Sequence, residues 1–298
     1  MSQFLASLLP VLRSYLSKIA NRREKDPDFH RRWMNGEIDE DGKAVPRNPQ
    51  AVDEIKARIA STRRPAIIGA ATEANTRSRL GGLPNLPQSM GWPTYEGRAM
   101  TLLAQIDLNE IPRCDDLAWL PKSGLLFYFA GRNDGDEWVE EASCVLFSEV
   151  ASSERRSPLA DALPAREVIN LTFEVRDTYA PLGPEDDAGQ WQDNKEIGAW
   201  YWSLMPFARQ SPWQIGGWPN PLQSHDMQAR AEERYSKDQG QESNGLNQAT
   251  AGWELLGQFD LDRLFGQASG FSRGFFWVRG IEAAQRKFDR AVLIGQAD

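Results

Sequence analysis

Two cysteines and two histidines are the whole supply of either residue in this chain of 298. Cys114 and Cys144 cannot build a disulfide framework, so the sequence points to reduced, buried thiols in a cytoplasmic protein. His30 and His225 occur without any H-E-x-x-H, paired C-x-x-C or EF-hand spacing, which argues against a structural zinc or calcium site. Walker and dinucleotide glycine patterns are also missing, so no cofactor is expected. No apolar run approaches the length of a membrane span. The G-x-S-x-G match at Gly270–Gly274 has no strand before Ser272, has the strand-like "FFWV" after it, and has no later histidine. That context contradicts a nucleophile elbow, and no catalytic residue is expected.

Charge is unevenly spread. Residues 1–80 carry 15 Lys plus Arg against 10 Asp plus Glu; the remainder carry 19 against 32, giving +5 and −13 and the net −8. A body this acidic repels nucleic acid and would attract a basic protein. The first 22 residues place Leu5, Leu8, Leu9, Leu12, Leu16 and Ile19 at helical spacing. The polar face of this helix lacks a basic stripe, so it is expected to dock on the body rather than on a membrane.

What the chain does have is aromatic residues, with eleven Trp and thirteen Phe, and a motif written twice. "GGLPN" at Gly81–Asn85 returns as "GGWPN" at Gly216–Asn220; "LLAQIDL" at Leu102–Leu108 returns as "LLGQFDL" at Leu255–Leu261; "SGLLFYF" from Ser123 is matched by "RGFFWV" from Arg273. The matches keep their order at offsets of 135, 153 and 150 residues, which points to internal duplication. Paired glycines followed by proline would let the chain pass close beneath a neighbouring strand. In each copy the following segment alternates as a strand, with Gln105 and Asp107 on one face and Leu102, Ala104, Ile106 and Leu108 on the other. Asp107 and Asp260 are expected to cap short helices after their strands.

Eight short apolar segments bounded by Gly or Pro read as strands, from "AIIGA" near Ala66 to "RAVLIGQ" near Ala291. Helices are expected at 1–22, near Asn48–Thr62 and at "SHDMQARAEERYSK", while "IGAWYWSLMPFA" fits helix or strand. The fold class is therefore α+β: β-rich, internally duplicated halves with mostly antiparallel sheets, plus N-terminal helices. Expected boundaries are an N-terminal helical segment over 1–64, a first half over 65–180 and a second over 181–298, forming one compact domain overall.

Two acidic stretches each carry a tryptophan. "NDGDEWVEE" holds Asp134, Asp136, Glu137, Trp138, Glu140 and Glu141; "GPEDDAGQWQDNKE" holds Glu185, Asp186, Asp187 and Trp191. A charge run by itself is a solvated loop. An exposed tryptophan inside a charged rim is what an interface anchor looks like, so these ten residues are the candidate partner-binding set.

The motifs "GGLPNLPQSMGWP", "LLAQIDLNEIP", "LPKSGLLFYFAG", "QIGGWPNPLQSHDM", "WELLGQFDL" and "GFFWVRGIEAAQRKFDRAVLIGQ" resemble the YwqG-like family of bacterial proteins over roughly Pro65 to Gln296. The resemblance implies duplicated β-rich halves, no established enzymatic activity and, for some members, service as immunity proteins against secreted antibacterial toxins. Combined with the acidic stretches, it leads to an expectation: a cytoplasmic immunity protein that occludes a cognate basic toxin, a nuclease for preference. The competing expectation is an enzyme or small-ligand binder using a cleft between the halves, lined by Gln105, Asp107, Gln258 and Asp260. A stress-related structural protein is a third reading.

Overall fold

β-Branched and aromatic residues pack well on a pleated surface, and the segments rich in them form the strands of this chain. The computed structural model describes residues 28–152, 154–157, 162, 167–183, 186, 191–205, 213–223, 226–238, 240, 252–266 and 270–297. The expected helix over 1–22 and His225 lie outside them.

Two units make up the chain. One comprises Met1–Ser61 and Leu182–Leu204, and its described helices are α1 (Phe29–Met34), α2 (Pro49–Ser61) and α3 (Trp191–Leu204). The segment "IGAWYWSLMPFA", open between helix and strand in the sequence, supplies the end of α3. Carboxylates of α3 satisfy the start and flank of α2: Asp193 accepts the Asn48 N–H (3.0 Å), and Glu196 pairs with Lys56 (2.7 Å) and Arg47.

The other unit, Thr62–Pro181 with Met205–Asp298, is the β-rich body. Its strands are β1 (Arg64–Ala71), β2 (Arg79–Leu80), β3 (Thr94–Tyr95), β4 (Arg98–Ala99), β5 (Thr101–Asp107), β6 (Leu125–Arg132), β7 (Trp138–Ser148), β8 (Ile169–Thr178), β9 (Trp213–Gly216), β10 (Trp253–Asp260), β11 (Arg273–Arg279) and β12 (Val292–Gln296). Helices α4 (Met227–Asp238), α5 (Leu261–Phe265) and α6 (Gly280–Ala284) complete it. Ten strands form one antiparallel sheet in the order β12-β11-β10-β9-β1-β8-β2-β5-β6-β7, with β3 and β4 as a separate hairpin. The body is thus β-rich α+β, and the sheet curls until its two edge strands, β12 and β7, come together as a nearly closed barrel.

The inside is filled. Leu80, Leu103, Ile106, Tyr128, Trp138, Leu171, Trp213, Phe259, Phe276 and Leu293 meet in one buried cluster. Leu102, Phe127 and Phe129 pack with Trp92 and Met100 in a second cluster, and α4 covers Leu255, Phe275, Trp277 and Ile294 in a third. The alternation expected for β5 fails at one point. A β-bulge between Leu102 and Ala104 turns Leu102 away from Ala104 and Ile106 into the second cluster. β10 has a bulge at the matching place, between Leu255 and Gly257, and the Leu256 carbonyl accepts the buried Tyr128 hydroxyl at 2.8 Å.

Closure uses a carboxylate rather than a ladder. β7 carries an irregularity opposite Ala130/Gly131, and Glu140 lies in it. Its side chain accepts the Gly295 N–H of β12 (2.6 Å) and pairs with Arg230 (2.7 Å) and Arg234 (3.2 Å) of α4, while Arg234 also donates to the Leu293 carbonyl (2.7 Å). Phe147 of β7 and Phe288 meet across the same seam, their ring centres 5.4 Å apart. Glu140→Gln keeps the shape but removes the charge that two arginines face. It should cost about 2–3 kcal/mol in urea unfolding, whereas Glu141→Gln, on an exposed neighbour, should stay within about 0.5 kcal/mol of the parent.

Candidate functional site

The repeated motif builds two polar clamps. At the first, Arg79 of β2 lies opposite Gln105 of β5. Gln105 Oε1 accepts the Asn85 N–H (2.6 Å) and its amide donates to the Arg77 carbonyl (2.9 Å). The Arg79 guanidinium donates to Asn85 Oδ1 (2.9 Å), to the Arg77 carbonyl (3.1 Å) and to the Leu83 carbonyl. At the second, Gln214 of β9 lies opposite Gln258 of β10. Gln258 Oε1 accepts the Asn220 N–H (2.8 Å), and Gln214 donates to the Trp218 carbonyl (2.7 Å). Both pairs of glycines have positive φ, from 65° to 75°. A Cβ on Gly217 would sit 2.4 Å from Thr178 Oγ1 and 2.7 Å from Ala66 Cβ, so the turn does pass tight against a neighbouring strand.

The clamps differ in charge. Burial pushes the Arg79 guanidinium down to about 10, reinforced by Arg155 nearby and opposed by Glu110, so it stays charged at neutral pH. Gln214 does the same work without a charge. The side chains of Gln105, Asp107 and Gln258 are buried rather than lining an open cleft. Asp260 caps α5 as expected, accepting the Arg263 N–H (2.9 Å). Asp107 does not cap a helix: no helix follows it, and its carboxylate accepts the Asn109 N–H (2.9 Å) in a local turn. Glu110, expected as its capping-box partner, instead accepts the Arg77 and Ser78 N–H groups, both at 2.9 Å.

The first acidic stretch is a hairpin between β6 and β7. Asn133 Oδ1 accepts the N–H groups of Gly135 (2.9 Å) and Glu137 (3.1 Å), and Asp136 closes the turn at φ 60°. The Asp134 side chain is 97% exposed and lies at the far limit of an ion pair with Arg98 (3.9 Å). Glu137 and Glu141 are exposed too. Asp136 takes Arg98 (2.9 Å) and Arg132 (3.2 Å), and the hydrogen bond from Arg98 followed by the charge of Arg132 holds its carboxyl below the usual range. A shallow recess lined by Tyr95, Arg98, Gly131 and Arg132 adjoins the turn.

Two members of the expected partner-binding set are turned inward here. Trp138 is only 2% exposed and packs on Phe265, ring centres 5.3 Å apart, because it is the first residue of β7 and its side chain joins the main buried cluster. Glu140 is held by the seam. In the second stretch Asp186 is 6% exposed, pairs with Arg58 and accepts the Gly183 N–H (2.5 Å). Glu185 and Asp187 lie outside the described residues, and Trp191 begins α3. The exposed carboxylates that remain together are Asp134, Asp136, Glu137 and Glu141. The sequence signal for this geometry was the Asn133-Asp134-Gly135 turn between two strand-like runs, which reads as a hairpin.

Ser272 precedes β11 directly, with its N–H on the Gln296 carbonyl (3.0 Å). Among the described residues, no three His, Cys, Asp or Glu side chains gather as a metal-binding group, and no helix is long and apolar enough to cross a membrane. Burial pushes the Cys144 thiol up to about 11, which leaves it unreactive at neutral pH.

Trp138→Ala should lower stability by about 3–5 kcal/mol in chemical unfolding, as the loss of a buried aromatic does; a change near zero would show that it is not a core residue. Gln105→Leu and Gln258→Leu, each removing the buried acceptor of a half-buried asparagine N–H, should each cost about 1–3 kcal/mol in the same assay.

No curated protein matches the chain. The profile of a family described as a domain of unknown function, DUF1963, matches residues 78–296, which spans both clamps, the acidic hairpin and the closing seam. The chain belongs to the DUF1963 family.

Proposed function

We propose that this protein is a binding protein that occludes a basic protein partner, and that it serves as a cytoplasmic immunity protein against a secreted antibacterial toxin of YwqG-like context. The observation that carries the reading is the hairpin. Its carboxylates project from a turn fixed by Asn133 and by Arg98, on a barrel with a side-chain-filled interior. Charges held in place on a rigid support steer an oppositely charged partner and lose little entropy on contact. Arg98 and Arg132 offset Asp136 most directly, so the exposed carboxylates of Asp134, Glu137 and Glu141 carry the steering.

The two halves are read as copies of one ancestral unit. Support comes from the clamps, from the matching bulges, and from strand register. Gln105 faces Phe127 as Gln258 faces Phe275, and Asp107 faces Leu125 as Asp260 faces Arg273. The counterpart of Phe275 is therefore Phe127, two residues beyond the Leu125 that matching of Gly124 with Gly274 suggests.

The test uses the toxin-like product of a neighbouring reading frame as binding partner. Asp134→Lys, Glu137→Lys and Glu141→Lys combined should slow association at least about tenfold at low salt, flatten its salt dependence and abolish growth protection, with unfolding unchanged. Binding and protection equal to the parent would reject the hairpin as the contact surface.

A further inference from the structure

β8 is longer than its neighbour on one side. β1 pairs with it from Thr178 back to Leu171, but β2 covers only Ile169 and Asn170 on the opposite edge. The Leu171 N–H still reaches the Ser78 carbonyl there (3.0 Å), and the Asn170 carbonyl accepts the Thr72 N–H on the β1 side (3.0 Å). Backbone groups alternate along a strand, so Phe173, Val175 and Asp177 aim their N–H and C=O groups away from β1. Among the described residues, no strand lies beside them and their backbone groups have no hydrogen-bond partner. Glu174 and Arg176 are exposed, as is Val175 at 41%. The segment contains no proline and no bulge, two of the devices that commonly protect an edge.

We propose that the edge Phe173–Asp177 is a strand-addition site whose occupant is the same edge of a second copy, antiparallel about a two-fold axis through Val175. In that register Val175 faces Val175 of the second copy, Phe173 faces Asp177, and each of these residues directs both backbone groups toward its mate. The charges select this occupant. Glu174 faces Arg176 of the second copy, and Arg176 faces its Glu174, so the in-strand pair of 2.9 Å is exchanged for two cross-strand pairs. A partner strand with the reversed order would place like charges together on this edge, and an uncharged one would leave the pair without cross-strand partners. The contact is small, so the dimer is weak and reversible.

Sedimentation velocity of the full chain over a concentration series reads this directly. The parent is expected to shift from monomer to dimer as concentration rises. Glu174→Arg alone and Arg176→Glu alone each put like charges face to face and should weaken the dimer about tenfold. Mixing the two single variants, or combining both changes in one chain, restores complementarity and should return association to the parent's. Val175→Pro removes only an outward N–H, leaves the β1 ladder intact, and should abolish the dimer without moving the thermal midpoint. A parent that stays monomeric throughout, or single reversals that associate as the parent does, would overturn the proposal. If Val175→Pro disturbs folding, the reversal and its rescue still decide.

Discussion

An antiparallel sheet of ten strands must do something with its two edges, and here the outcome depends on Glu140. Its carboxylate stands between the last strand of the sheet order and the first, taking one backbone N–H from β12 and two guanidinium groups from α4. A closed ladder would need β7 and β12 to run in register over several residues. No such ladder joins them, and Glu140, in the irregularity opposite Ala130/Gly131, reaches across the gap instead. One ionic contact therefore replaces a row of backbone bonds. It also holds α4 against the third apolar cluster, so the helix and the seam depend on each other.

The clamps solve a second problem. A two-residue strand such as β2 contributes little pairing, yet it stands between β8 and β5 in the sheet. The Gly-Gly turn folds the following segment back, and Gln105 and Arg79 hold its carbonyls and amides inside the body. β9 is short in the same way and is held by Gln258 and Gln214. Each weak strand is thus fixed by one side chain of its own and one from its neighbour. The shortness of β2 also leaves the far part of β8 uncovered, so the feature that needs a clamp creates the free edge.

Much of the fold was legible because strand formation here follows local pattern. The aromatic and β-branched runs became β5, β6, β10 and β11, and the paired glycines took positive φ as their neighbours required. The bulges were not legible, since a bulge depends on which residue of the facing strand is skipped. Leu102 therefore leaves the face that strict alternation gives it. The acidic stretches misled for a related reason. Charge and tryptophan looked like one exposed rim, but the alternation of a strand beginning at Trp138 sends the indole inward while leaving Glu141 outside. Glu140, chemically identical to Glu141, is structural only because β12 arrives beside it from 155 residues away. Nothing local announces such a partner.

If the carboxylate seam closes the barrel, the edge strands should be as stable as the core. Native-state hydrogen exchange measures this residue by residue. The amide of Gly295 and its neighbours in β12, with those of β7 near Val145, are expected to exchange only through global unfolding, at the same free energy as Phe259 in β10. Exchange of Gly295 by local fraying, well below the global value, would show that the sheet is open at this seam and that Glu140 decorates an edge instead of closing one.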